Sequence, residues 1–101
     1  MKKAATKAER EHMDKVQALN CIVCRNQGYP DSPCEIHHPR SGVGMGQRSS
    51  HYAVIGLCPT HHRLGGIGTA LHAGQKTFEA KYGTEEELLE QVRELLGESH
   101  E

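Results

Sequence analysis

CPTHH at residues 58–62, read together with CIVC at residues 21–24, decides the fold of this chain. Cys21-x-x-Cys24 and Cys58-x-x-His61 are two ligand pairs. Each is short enough to sit on one tight turn, and a structured stretch separates them. That is the spacing by which proteins hold structural zinc. Three thiolates and one imidazole, about 2.3 and 2.0–2.1 Å from the ion, close a tetrahedron. Such a site ties the start of the chain to its middle, and the free energy of binding the ion becomes free energy of folding.

The rest of the composition calls for such a staple. The chain has 101 residues, of which 36% are apolar and 4% aromatic, with no Trp. That length predicts one domain, with residues 1–5 and 97–101 as loose ends. Folding it must offset roughly 100 kcal/mol of conformational entropy. So few large side chains make a thin core, and small domains with thin cores rely on disulfides or a metal. Residues 1–19 are charged and carry no apolar run, which excludes a signal peptide reading. No stretch approaches the ~20 apolar residues of a membrane span. These features predict a soluble cytoplasmic protein, where four cysteines read as metal ligands before disulfides. A thioredoxin-like redox role for Cys21 and Cys24 would need a strand before the pair, and a helix stands there. Cys34 is the odd thiol and reads as a buried structural cysteine.

Working outward, residues 6–19 predict a helix, capped by Thr6 with Glu9 as its capping-box partner and ended by Asn20. Residues 25–33 read as a loop, 34–38 as a short strand, and 39–50 as a long glycine-rich loop. A second strand follows at 52–57. Pro59 suits the first turn of a short helix over 60–64, ended at Gly65-Gly66. A further helix spans 76–82, stopped by Gly83. Residues 84–96 are the clearest element: Thr84 and Glu87 form a capping box, and Leu88, Leu89, Val92, Leu95 and Leu96 share one face. The fold class expected is α+β. The net charge is −1, but residues 84–101 hold seven acids and one base, which leaves the remainder formally +5. An acidic helix beside a basic body is compatible with phosphate binding on one face, and equally with ordinary solvated surface.

Histidine is the second signal. There are eight, unevenly placed. His37-His38 ends the first strand, His51 precedes the second, His61-His62 opens the short helix, and His72 follows the glycine-rich stretch. With His61 given to structural zinc, enough imidazoles remain for a second metal and an acid–base group. One such histidine alone would read as surface, and His12 and His100 do. Two tandem pairs on adjacent elements do not.

The order His37-His38, His51, Cys58-Pro-Thr-His61-His62 resembles the HNH, or ββα-metal, nuclease superfamily. It is most similar to the phage recombination-enhancement, RecA-dependent nuclease (Ref) family. The similarity takes in the helix leading into Cys21-Ile-Val-Cys24, Ile36-His37-His38, the His51 position, Leu57-Cys58-x-x-His61-His62 and Leu71-His72-Ala73-Gly74. The resemblance implies a small zinc-stabilised ββα-metal core flanked by N- and C-terminal helices. It implies an endonuclease that hydrolyses phosphodiester bonds in DNA, in a bacterial host cell and of phage or prophage origin, with the RecA filament as a partner. In that reading His38 is the general base, since an imidazole titrates near neutrality and can take a proton from water. His37 and His62 are ligands of a catalytic Mg²⁺, Mn²⁺ or Zn²⁺, His72 is a third ligand, and His51 stands at the middle position, orienting the base or approaching the metal.

Adjacent residues on a strand point to opposite faces, so His37 and His38 can share a cleft only if the strand breaks there; Pro39 and Gly42 favour a break. Arg25, Arg40, Arg48, Arg63 and Lys76 flank the site and are candidate phosphate contacts. The basic arm of some family members has as counterpart only residues 1–5, with Lys2 and Lys3. The alternative is a non-catalytic zinc module that binds nucleic acid or protein, which would need only Cys21, Cys24, Cys58 and His61. A thiol redox protein ranks last.

Overall fold

The computed structural model describes residues 4–39 and 51–97. The long loop expected at 39–50, and with it Arg40, Gly42 and Arg48, lies outside the described residues except for Pro39. So do Lys2, Lys3 and His100. The described chain is α+β. In order it forms α1 (Lys7–Ala18), α2 (Ile22–Asn26), β1 (Glu35–His37), β2 (Ile55–Leu57), a π-helical turn (Thr60–Leu64), a 3-10 turn (Leu71–Ala73), α3 (Gln75–Tyr82) and α4 (Glu85–Leu95).

Both capping boxes form as expected. The Glu9 amide donates to Thr6 Oγ1 at 3.1 Å, and the Thr6 amide donates to Glu9 Oε1 at 2.7 Å. Thr84 and Glu87 repeat the pattern at 3.1 and 2.8 Å. Each box satisfies two backbone groups that a helix start would otherwise leave unpaired. Asn20 ends the first helical segment with φ 66°, a left-handed conformation that asparagine tolerates.

The second strand covers 55–57 where the sequence predicts 52–57, and residues 71–73 of the glycine-rich stretch form a 3-10 turn. Residues 22–26 form a helical turn that reaches into the loop expected from residue 25. The cause is local: Cys21 is its N-cap, and Cys21 Sγ accepts a hydrogen bond from the Cys24 amide at 3.4 Å. The cysteine pair thus nucleates the helix that carries it.

β1 and β2 pair antiparallel, with Glu35 opposite Leu57, Ile36 opposite Gly56 and His37 opposite Ile55. β2 is buried along its length, and Val16, Ile22, Val23, Val54, Leu71, Phe78, Leu88 and Val92 pack around it. Phe78 is the one large aromatic in that core, as the composition implied. Burying such side chains stabilises the fold by about 1.5–3 kcal/mol each.

Cys34 is buried under the sheet, and its Sγ donates to the Gln17 carbonyl at 3.5 Å. Gly56 lies directly against it. A Cβ at residue 56 would stand 2.4 Å from Cys34 Sγ and 3.0 Å from the Asn20 carbonyl. Gly56→Ala is therefore expected to destabilise the domain by about 1–3 kcal/mol through overpacking. Adding Cys34→Ala should recover part of that loss in chemical denaturation, because it removes the nearest clashing atom.

Candidate metal centres

Cys21, Cys24, Cys58 and His61 converge. Cys24 Sγ lies 3.7 Å from Cys58 Sγ. His61 Nδ1 lies 3.7, 3.5 and 3.2 Å from the sulfurs of Cys21, Cys24 and Cys58. These separations can be tested against a metal. Bonds of about 2.3 Å to sulfur and 2.0–2.1 Å to nitrogen, at tetrahedral angles, require S···S edges of about 3.8 Å and S···N edges of about 3.6 Å. The observed distances match, so the four side chains fit a tetrahedral ion. His61 is steadied from behind by Tyr82, whose ring meets it edge-on at 5.1 Å.

Burial pushes the Cys21 thiol up to about 12 and the Cys34 thiol up to about 11. A redox or nucleophilic thiol needs the opposite shift, which argues against thiol chemistry at either position. A cation among the three sulfurs would reverse the balance by favouring thiolates. Burial, and then the charge of Lys81, lower the His61 pKa and so favour the neutral ring that a metal ligand must present.

The second cluster forms on the other side of the π-helical turn. There the His62 amide donates to the Cys58 carbonyl at 2.8 Å, and Gly65 donates to the Thr60 carbonyl at 2.9 Å. Neighbours on such a turn diverge by roughly 100° about its axis. His61 therefore faces the cysteines while His62 faces β1. His62 Nε2 lies 3.2 Å from His37 Nδ1, and the His72 ring lies edge-on to both, at 4.4 Å from His62 and 5.5 Å from His37. Histidines 37, 62 and 72 can each offer a nitrogen within 4.8 Å of the others.

The outer nitrogens of this cluster are tied to carboxylates. Glu35 Oε1 lies 2.8 Å from His62 Nδ1. Arg63 grips Glu35 with two further hydrogen bonds, at 3.1 and 2.6 Å. The Arg63 hydrogen bonds, and then the one from His62, hold the Glu35 carboxyl down at about 2. It is ionised at neutral pH and can only accept, so the proton sits on His62 Nδ1. The inner nitrogen of a neutral His62 is then a lone pair aimed at His37. Two imidazole nitrogens 3.2 Å apart need a proton or a cation between them, and the nearby His72 favours a cation. The chemistry of three imidazoles fits a first-row transition ion.

His38 takes a different direction. β1 ends at His37, as Pro39 suggested, and His38 Nε2 lies 3.0 Å from His51 Nδ1. The tandem histidines thus serve two different partners. A cleft of about 270 Å³, lined by His37, Leu71, His72, Gln75 and Glu85, opens beside the triad.

Of the basic candidates, Arg63 is engaged by Glu35, and one Arg25 nitrogen donates to the Leu19 carbonyl at 3.2 Å. Lys76 is exposed in the first turn of α3. His12, expected at the surface, is half-buried with its ring 5.3 Å from that of Tyr52.

Sequence reasoning missed Glu35 and Glu85. Glu35 carried a signal, since it lies two residues before His37 and so on the same strand face. Glu85 looks like any other acid in the first turn of a capped helix.

Among the described residues, no helix is long and apolar enough to cross a membrane. The family model described as "Recombination enhancement, RecA-dependent nuclease" matches residues 5–97 of the chain. No curated protein matches it significantly.

Proposed function

The chain belongs to the recombination-enhancement, RecA-dependent nuclease family, and from that premise we propose that it is an HNH-type endonuclease cutting DNA phosphodiesters beside the His37/His62/His72 cluster. The carrying observation is the separation of one Cys/His set into two ligand groups, one with a tetrahedral Cys₃His spacing and one of three imidazoles. In this reading the first holds structural zinc and staples a ββα-metal core. The second holds Mg²⁺, Mn²⁺ or Zn²⁺, and an ion there supplies electrostatic stabilisation of the charge that grows on phosphorus-bound oxygens and the leaving 3′-oxygen.

The remaining chemistry falls to the chain's own side chains. His38 takes the proton from water attacking the phosphorus. His38 Nε2 lies 3.0 Å from His51 Nδ1, so His51 orients the ring of the base. A base held by a hydrogen bond is aimed as well as basic. Lys76 contacts a phosphate from the first turn of α3, and Arg25, Arg40, Arg48 and Arg63 add charge without sequence preference. RecA filaments on DNA are the proposed partner.

The test is cleavage of single-stranded and duplex DNA by zinc-loaded protein with Mg²⁺ or Mn²⁺, with and without RecA filaments. Cutting in either arm supports the proposal. Intact DNA in every arm, with folded protein, counts against it and in favour of a non-catalytic zinc module.

A further inference from the structure

The carboxylate of Glu85 is 1% exposed, which is unusual for an acid in the first turn of a helix whose other acids face water. Buried carboxylates are retained where something engages them. Glu85 Oε2 lies 2.6 Å from His37 Nε2, and Glu85 Oε1 accepts from Gln75 Nε2 at 3.0 Å. Gln75 Nε2 also reaches Glu79 Oε2 at 3.0 Å, so α3 braces the residue from the side. The short contact to His37 has the length of a charge-assisted hydrogen bond. It uses the ring nitrogen of His37 other than the one that lies 3.2 Å from His62.

We propose that Glu85, steadied by Gln75, is a positioning residue for the three-histidine centre: it fixes His37 as the Nε2–H tautomer and turns Nδ1 toward the ion. The inference rests on reading histidines 37, 62 and 72 as a metal site. Its physical content is independent of the nuclease chemistry. Outer carboxylates that hold a ligand's second ring nitrogen set its tautomer and orientation and raise its basicity. Here the two ends of the triad are held in opposite senses: His62 is bonded outward through Nδ1 and His37 through Nε2. An ion held there would be met by Nδ1 of His37 and Nε2 of His62. α4, which the sequence presents as an acidic helix, becomes part of the centre through one residue at its N-terminus.

The experiment is calorimetric titration of zinc-loaded protein with Ni²⁺, combined with long-range ¹H–¹⁵N spectra of the imidazoles. Glu85→Gln should weaken Ni²⁺ binding by about 10- to 100-fold and leave the bound zinc in place. Gln75→Ala should weaken it severalfold, and Glu86→Gln, at the exposed neighbour, should not change it. In the wild type His37 should appear as the Nε2–H tautomer, and the Gln variant should lose that preference. If Glu85→Gln does not fold, Gln75→Ala and the wild-type tautomer decide. Affinities within twofold of wild type in Glu85→Gln and Gln75→Ala, where they fold, or a wild-type His37 carrying its proton on Nδ1, would overturn the proposal. A wild type that takes up no Ni²⁺ contradicts the metal site itself, an outcome distinct from a wild type that binds Ni²⁺ and variants that bind it equally well.

Discussion

Cys58→Ser is expected to leave the chain without stoichiometric zinc and without a cooperative fold at 25 °C. Three facts combine to make the effect large. Cys58 lies at the end of β2, the buried strand around which the core packs, and its sulfur is 3.7 Å from that of Cys24 and 3.2 Å from His61 Nδ1. The quartet therefore joins α2, the sheet and the π-helical turn at one point. The buried core around it holds one phenylalanine, the rest being aliphatic side chains and cysteines. Finally, a structural zinc of this type contributes about 10–16 kcal/mol of apparent binding free energy, against a typical domain stability of about 5–15 kcal/mol. Losing one thiolate while leaving two other sulfurs buried should push the balance to the unfolded side. Far-UV circular dichroism and zinc content report the outcome together. A Cys58→Ser protein that melts like the wild type would mean that packing alone holds the fold.

His38→Ala is expected to lower DNA cleavage by about 100- to 10,000-fold, the range that general-base catalysis contributes, without loss of either metal. His38 lies beyond the end of β1, is not among the converging ligand nitrogens, and makes its contact to His51. Removing its ring should spare both metal groups and the core. His62→Ala differs in kind, since it removes a ligand and leaves Glu35 with only Arg63. It should reduce cleavage together with uptake of the second ion. A His38→Ala enzyme as active as the wild type would assign the base elsewhere.

Much of this organisation can be read in the sequence because it rests on short-range rules. Capping boxes need only Thr6 with Glu9 and Thr84 with Glu87, three residues apart. The Cys₃His quartet needs only two x-x spacings. The tandem His61-His62 is legible for the same reason, because neighbours on a helical turn face different ways. What stays hidden depends on the tertiary fold. The helical turn at 22–26 arises from a sulfur capping its own helix, in a segment with weak helix propensity. Glu35 and Glu85 acquire their roles from partners 27 and 48 residues away. Arg63 reads as a free loop cation until Glu35 is placed beside it. Gly56 reads as one more glycine until Cys34 is found against it. In each case the missing information is which distant side chain occupies the neighbouring space, and local pattern carries none of it.

On the proposed reading, one run of cysteines and histidines builds two metal sites with different work. The most direct measurement is a crystal structure of the purified protein grown with zinc and manganese, with anomalous scattering recorded at both absorption edges. One zinc peak is expected inside the Cys21/Cys24/Cys58/His61 tetrahedron and a second metal peak between His37 Nδ1, His62 Nε2 and His72. A single peak at the cysteines, with the three histidines bonded only to one another and to their carboxylates, would contradict it.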